Sequence, residues 1–217
     1  QQRRARVGHA ARASLLTTAA ATAIALAIGL LVGLTAGLAG GWIDAVLLRM
    51  IELAISFPVL LLAIFAAAAL RAASVDQEPA SYVLVLGLMC WPATARVVRS
   101  RARVLARAEF IVAARGLGAS SWRVLTRHLV PNVGGVLAVM LTITAAQILI
   151  ADSTMSFAGL GSAPPAASWG RMVFEGRIYY RSAPWLMLAP GLAVVLAVAA
   201  FHLVGVGLQR QLGRVSW

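Results

Sequence analysis

The run ARAEFIVAARGLGASSWRVLTRHLVPN, residues 106 to 132, holds the residue types whose spacing most nearly prescribes a task, and the task is mechanical. Residues 109 to 115 read as a short helix of good formers, with Glu109 in the first turn, where the helix dipole favours a carboxylate. Gly116 and Gly118 follow, and either can take the left-handed conformation that ends a helix. Ser120 or Ser121 then caps a second short helix over 122 to 129. Pro131 opens the next apolar run at a position where its missing N–H costs nothing. The product is an elbow, two short helices at an angle joined by Gly-Ala-Ser. Ala113, Ala114 and Ala119 expose little side chain, which lets such an elbow slide into a groove on another protein. A plain amphipathic helix lying at an interface is the alternative.

Residue types that could carry covalent or metal chemistry are present but unpaired in sequence. Cys90 is the only cysteine, and His9, His128 and His202 are scattered without ligand spacing. Glu52 and Asp152 fall at the ends of apolar runs with no His or Ser motif beside them, so an intramembrane enzyme lacks its paired groups. No GxxxxGK[ST] occurs, and ATP hydrolysis would have to take place on another polypeptide. Gln147 is the one strongly polar side chain inside the fourth apolar run. With Asp152 and Met155 it is the candidate lining of a polar path, and no metal site is expected.

The elements that must position these residues are membrane spans. Of the 217 residues, 61% are hydrophobic and only 12% charged. Mean hydropathy is +0.86. The apolar residues fall in five runs near bilayer length, at about 14–38, 47–70, 81–98, 131–151 and 184–208. The first carries Gly29, Gly33 and Gly37 at four-residue spacing, a face without side chains that permits close helix approach. Phe57-Pro58 interrupts the second run and predicts a kink, and Trp91-Pro92 predicts a bend in the third. The fold class is therefore all-α, a polytopic helical bundle. The net charge of +12 is carried by 19 arginines clustered between the runs. That distribution suits cytoplasmic loops and anionic lipid headgroups, not a nucleic-acid face, which would pair basic residues with stacking aromatics.

Several long motifs in order make the chain similar to a known family. Ala113, Ala114, Gly118 and Pro131 match the EAA loop of bacterial ATP-binding-cassette importer permeases, with Val112 where that loop has Glu. Residues 156 to 185, SFAGLGSAPPAASWGRMVFEGRIYYRSAPW, resemble the SFLGLG…PP…SWG…EGR…APW pattern of dipeptide, oligopeptide and nickel permeases, C-type subunit, with Ala158 for Leu. GGWID at 40–44, SFP at 56–58 and WPATARVVRS at 91–100 agree. The resemblance implies one transmembrane permease domain over 1–217 in the bacterial plasma (inner) membrane, with a sixth span preceding residue 14.

It further implies a cytoplasmic coupling loop over 106–131 that docks on an ATPase through Glu109, Val112, Ala113, Ala114, Arg115, Gly116, Leu117, Gly118, Ala119 and Ser120. An extracytoplasmic loop over 152–183 would carry Pro164, Pro165 and Trp169, and could close the outer mouth or meet a substrate-delivery protein. Partners implied are a B-type permease subunit, two ABC ATPase subunits holding ATP and Mg, an extracytoplasmic binding protein and membrane lipid. Peptides are the expected substrate, with nickel or another small solute as the same-class alternative and a non-transporting scaffold as the other. The topology sets Arg3, Arg4, Arg6 and Arg12 outside, against the positive-inside tendency, outweighed by eight arginines from Arg96 to Arg127.

Overall fold

A computed structural model describes residues 2–72, 79–161 and 168–213. The described residues are almost wholly helical. In chain order they form α1 (Gln2–Ala39), α2 (Gly41–Ser56), α3 (Val59–Ala72), α4 (Pro79–Ala106) and α5 (Glu109–Gly116). After these come α6 (Ser121–Val124), a π turn (Leu125–Leu129), α7 (Val130–Phe157), α8 (Trp169–Gly176), a 3₁₀ turn (Arg177–Tyr179) and α9 (Trp185–Gly213). Ala10–Ala39, Ala80–Ala106, Trp122–Phe157 and Trp185–Gln211 are each long and apolar enough to cross a membrane.

The glycine face of α1 packs on α4. A Cβ placed on Gly29 would lie 2.6 Å from Thr94 Cβ, one on Gly33 2.7 Å from Val98 Cβ, and one on Gly37 2.7 Å from Ala102 Cβ. Both helices thus advance four residues per contact and in the same direction, so α1 and α4 are parallel. Gly87 of α4 against Ile24 of α1 continues the register toward the other end. Parallel neighbours require the chain between them to recross the bundle.

That return is made by α2 and α3. The sequence predicts one kinked span over 47–70; the structure instead bends by 84° between Gly41–Ser56 and the first turns of α3. Pro58 cannot donate a backbone hydrogen bond, and Phe57 takes an extended conformation, so the helix stops and restarts. Alone, α2 (16 residues) and α3 (14 residues) are too short to cross, since a spanning helix needs about 20 residues. Together they are long enough. Asp44, in the first turn of α2, reaches Arg99 and Arg103 near the end of α4. Ala63 of α3 packs with Tyr82 and Leu86 at the start of α4. The pair thus reaches from one end of α4 to the other, as one broken span does, which gives five candidate crossings among the described residues.

Three other expectations shift: the fourth span does not give way to a loop at 152 but continues as α7 to Phe157. The third span does not end at 98 but runs unbroken through Pro92 to Ala106, so Arg99, Arg101 and Arg103 are helical. The second half of the elbow is not a free-standing helix: α6, the π turn and α7 are continuous as Trp122–Phe157. The ring of Pro131 would clash with the carbonyl four residues back, and the wide turn relieves it. Asn132 Nδ2 donates to the His128 carbonyl at 2.6 Å.

At the end opposite α5, the Tyr82 hydroxyl donates to Asp152 Oδ1 at 2.9 Å, tying the start of α4 to the end of α7. α9 returns antiparallel to α7, with Gly205 against Thr142. In a detergent-solubilised chain, Gly33→Ala and Gly207→Ala should move thermal stability in opposite directions. Each gains helix propensity worth about 1 kcal/mol. At Gly33 the added methyl meets the Ala95 carbonyl oxygen at 2.7 Å, and overpacking of about 1–3 kcal/mol outweighs the gain. Gly207 has no neighbour within 4 Å, so its melting temperature should hold or rise; equal shifts for both would contradict the parallel packing.

Candidate functional site

The segment from α5 to the π turn stands at the end of the bundle where α1 and α4 both finish. Its position is set by one side chain. Ile111 is fully buried, in a cluster with Leu34 of α1, Val98, Ala102 and Leu105 of α4, Val124, Leu129 and Val133. The predicted helix over 109–115 is found with one more residue, and Glu109 stands in its first turn.

The helix ends in a Schellman motif. Ala119 N–H donates to the Ala114 carbonyl at 3.0 Å and Gly118 N–H to the Arg115 carbonyl at 2.9 Å. Gly118 is the left-handed residue, with φ +84°. Gly116, the other glycine expected to serve as cap, is instead the last helical residue and keeps an ordinary φ. Of the two serines offered as the next cap, Ser120 takes the role, its Oγ accepting from Arg123 N–H at 3.3 Å. The elbow is thus closed by backbone hydrogen bonds on one side and by a buried isoleucine on the other.

Its outer surface is more apolar than the alanines suggested. Leu117 is 91% exposed, Trp122 72% and Val112 60%. Phe110 is also exposed, its ring 6.1 Å from that of His128. Ala113 faces outward, whereas Ala114 and Ala119 are half-buried. Glu109, Arg115, Gly116, Gly118 and Ser120 are exposed around them. Leu117 is one of the docking residues that the resemblance implies, and Trp122, outside that set, joins it by exposure. Leu117 sits between two glycines, where no helix face can turn it inward.

The other candidate residues do not gather at one site. Gln147 is exposed on α7, whereas Asp152 and Met155 are buried inside the chain's own bundle, Met155 in the cluster with Ala21, Tyr82 and Leu86. Trp169 is buried against Ala10 and Leu149, its backbone N–H donating to Ser14 Oγ at 3.2 Å. Ser168 caps α8 by accepting from Arg171 N–H. Pro164 and Pro165 lie outside the described residues. Among the described residues no three His, Cys, Asp or Glu side chains converge as metal ligands.

The family described as binding-protein-dependent transport system inner membrane component matches residues 29–214. A Brucella suis biovar 1 protein named for a peptide transport system permease is 40% identical over 166 residues, covering 76% of this chain and 54% of that protein. The glutathione transport system permease protein GsiD of Pectobacterium atrosepticum is 34% identical over 169 residues, covering 78% of this chain and 54% of its own length. The chain thus spans about half the length of the curated relatives it matches. Among solved structures, an inward-facing conformation of the MetNI methionine ABC transporter aligns with TM-score 0.78 at 18% identity, over 98% of both chains. At that identity the likeness is one of fold.

The two glycines of the elbow should respond differently to alanine. Gly118→Ala forces a Cβ into the left-handed region, at a cost of about 1–2 kcal/mol. Gly116→Ala keeps a helical φ and meets no neighbour within 4 Å, so it should be neutral or stabilising. Amide hydrogen exchange at Leu117 and Ala119 reads this directly. Faster exchange in Gly118→Ala and not in Gly116→Ala is expected; the reverse would contradict the capping geometry.

Proposed function

The chain belongs to the binding-protein-dependent transport system inner membrane component family, and on that premise we propose that it forms half of the translocation path of an ATP-driven peptide importer. The observation that carries this is the elbow. It is held rigidly by Ile111 and the Schellman bonds, yet leaves Leu117, Trp122 and Val112 in solvent. Burying one such side chain is worth about 1.5–3 kcal/mol. An exposed apolar face on a rigid support is the form a docking surface takes. Its occupant is a cytoplasmic ATPase that binds ATP and Mg, and closure of that ATPase pushes the elbow and rocks the helices as rigid bodies.

In this arrangement residues 106–131 are cytoplasmic, and the end carrying α8 faces the opposite side, toward an extracytoplasmic binding protein. A second, B-type permease subunit completes the path against the exposed faces of this chain, Gln147 among them. The relatives named for peptide and glutathione transport favour peptides over nickel as cargo. Selectivity rests mainly with the binding protein, and this chain contacts the cargo loosely. Val112 at the first position of the loop signature makes that contact apolar, without a salt bridge from that residue.

The test is uptake by proteoliposomes holding the whole complex. Labelled di- and tripeptides should accumulate only with ATP inside the ATPase-facing compartment, while labelled nickel should not. In the same preparation Leu117→Ala should weaken ATPase binding about tenfold, the loss of some 1.4 kcal/mol typical of an interface anchor. Gly118→Pro, which the φ of +84° cannot accommodate, should abolish coupled hydrolysis. Full uptake with Gly118→Pro would sink the elbow mechanism, and ATPase binding without any uptake would favour a scaffold.

A further inference from the structure

α2 takes no part in the elbow's docking surface, yet its attachment is unusual. At its start it joins α1 through Gly40 and Gly41, both at positive φ (63° and 54°) and both free of neighbours within 4 Å of a would-be Cβ. At its finish it meets α3 across the 84° break at Phe57-Pro58. Both joints are ones about which a helix can turn. Between them only two residues of α2 are buried, Asp44 and Ile51. Trp42, Val46, Met50 and Leu53 all face outward.

Asp44 is therefore the principal polar hold on a helix articulated at both ends. Its Oδ1 accepts from Arg99 Nε at 2.5 Å and its Oδ2 from Arg99 Nη2 at 2.9 Å, a two-pronged fork. Arg103 Nη1 lies 3.1 Å from the same carboxylate. The Asp44 and Arg99 side chains are only 9% and 13% exposed, so water screens the pair weakly. Arg99 and Arg103 are one turn apart on α4. On the adjoining face of the same turns stand Val98 and Ala102, which pack in the cluster that buries Ile111 of the elbow. The last turns of α4 are thus a common post, with the elbow on one side by apolar contact and α2 on the other by charge.

We propose that Asp44, Arg99 and Arg103 are positioning residues that make α2 move with the elbow. Displacement applied at α5 passes through Ile111 to the α4 post and through the Arg99 fork to α2. It is taken up at the Phe57-Pro58 joint, so α3 need not follow. The inference rests on the permease reading, because it names the path by which that reading's motion leaves the elbow. A charged fork suits the role: it fixes direction as well as distance, whereas apolar contact alone would let α2 slide.

The experiment uses the complete complex in liposomes. Spin labels at Val46 on α2 and Arg107 just before α5, on a Cys90→Ser background, report the distance between the two elements. In the unaltered pair that distance should stay constant between nucleotide-free and ATP-trapped states, and in Asp44→Asn it should change. Peptide taken up per ATP hydrolysed should fall in Asp44→Asn by about three- to thirtyfold, the range of a coupling element. Arg99→Lys keeps the charge and loses the fork; it should show the same pattern at smaller amplitude and serves if Asp44→Asn fails to assemble. A Val46–Arg107 distance that already changes without substitution, or an unchanged uptake ratio in both variants, overturns the clamp and leaves the permease reading standing. An unaltered complex that takes up no peptide overturns both.

Discussion

Everything in this fold follows from the parallel contact between α1 and α4. Hydrophobicity cannot bring two helices together in lipid, because the tails are as apolar as the side chains; close backbone approach must do it. Gly29, Gly33 and Gly37 remove the side chains that would hold α4 away, and Thr94, Val98 and Ala102 are small enough to enter. Once the two helices lie parallel, the topology is constrained. The intervening chain must recross, which forces the α2–α3 span. The ends of α1 and α4 must also share one side, which creates the apolar pocket that receives Ile111.

The polar groups of the bundle are arranged around this contact. Each buried carboxylate with a named partner joins α4 to another element: Asp44 to its last turns and Asp152 to its first. A buried ion pair adds little net stability, because desolvating two charges offsets most of their attraction. Its value lies in specificity. The Asp44 fork selects one placement for α2, and the Tyr82–Asp152 bond selects one register for α7 on α4. Between them Thr94 and Thr144 approach within 3.4 Å through their hydroxyls, a weaker tie at mid-height.

Much of this was legible in the sequence, and the exceptions share a cause. Helix bounds that depend on local chemistry came through: α5 within one residue, a serine cap at 120 or 121, and the glycine face of α1. What depended on a partner distant in the chain did not. Asp44 reads as an ordinary first-turn carboxylate until α4 brings Arg99 beside it, 55 residues on. Phe57-Pro58 announces a break but not its angle, which is 84°. Gly116 and Gly118 are equivalent by composition, and only the hydrogen bonds of Ala119 and Gly118 decide which is left-handed. Trp169 belongs by sequence to a turn-rich loop; Ala10 and Leu149 turn it inward.

The elbow shows how a chain can hold a surface ready without paying for it in disorder. Leaving Leu117 and Trp122 in water forgoes burial that a soluble domain would have taken, and a free loop bearing them would collapse onto the bundle. Three features prevent that. Gly118 turns the chain in a left-handed conformation that leaves Leu117 outside, the Schellman bonds fix the turn, and Ile111 anchors it in the apolar cluster. The π turn then carries the strain of Pro131 without a break, so the elbow continues into α7 as a single rod. Trp122–Phe157 has 36 residues; at 1.5 Å per residue it is about 54 Å long, well beyond the roughly 30 Å of a bilayer core. Part of that length stands outside any such core. A force on Trp122 therefore acts on a lever whose other arm is the membrane span itself.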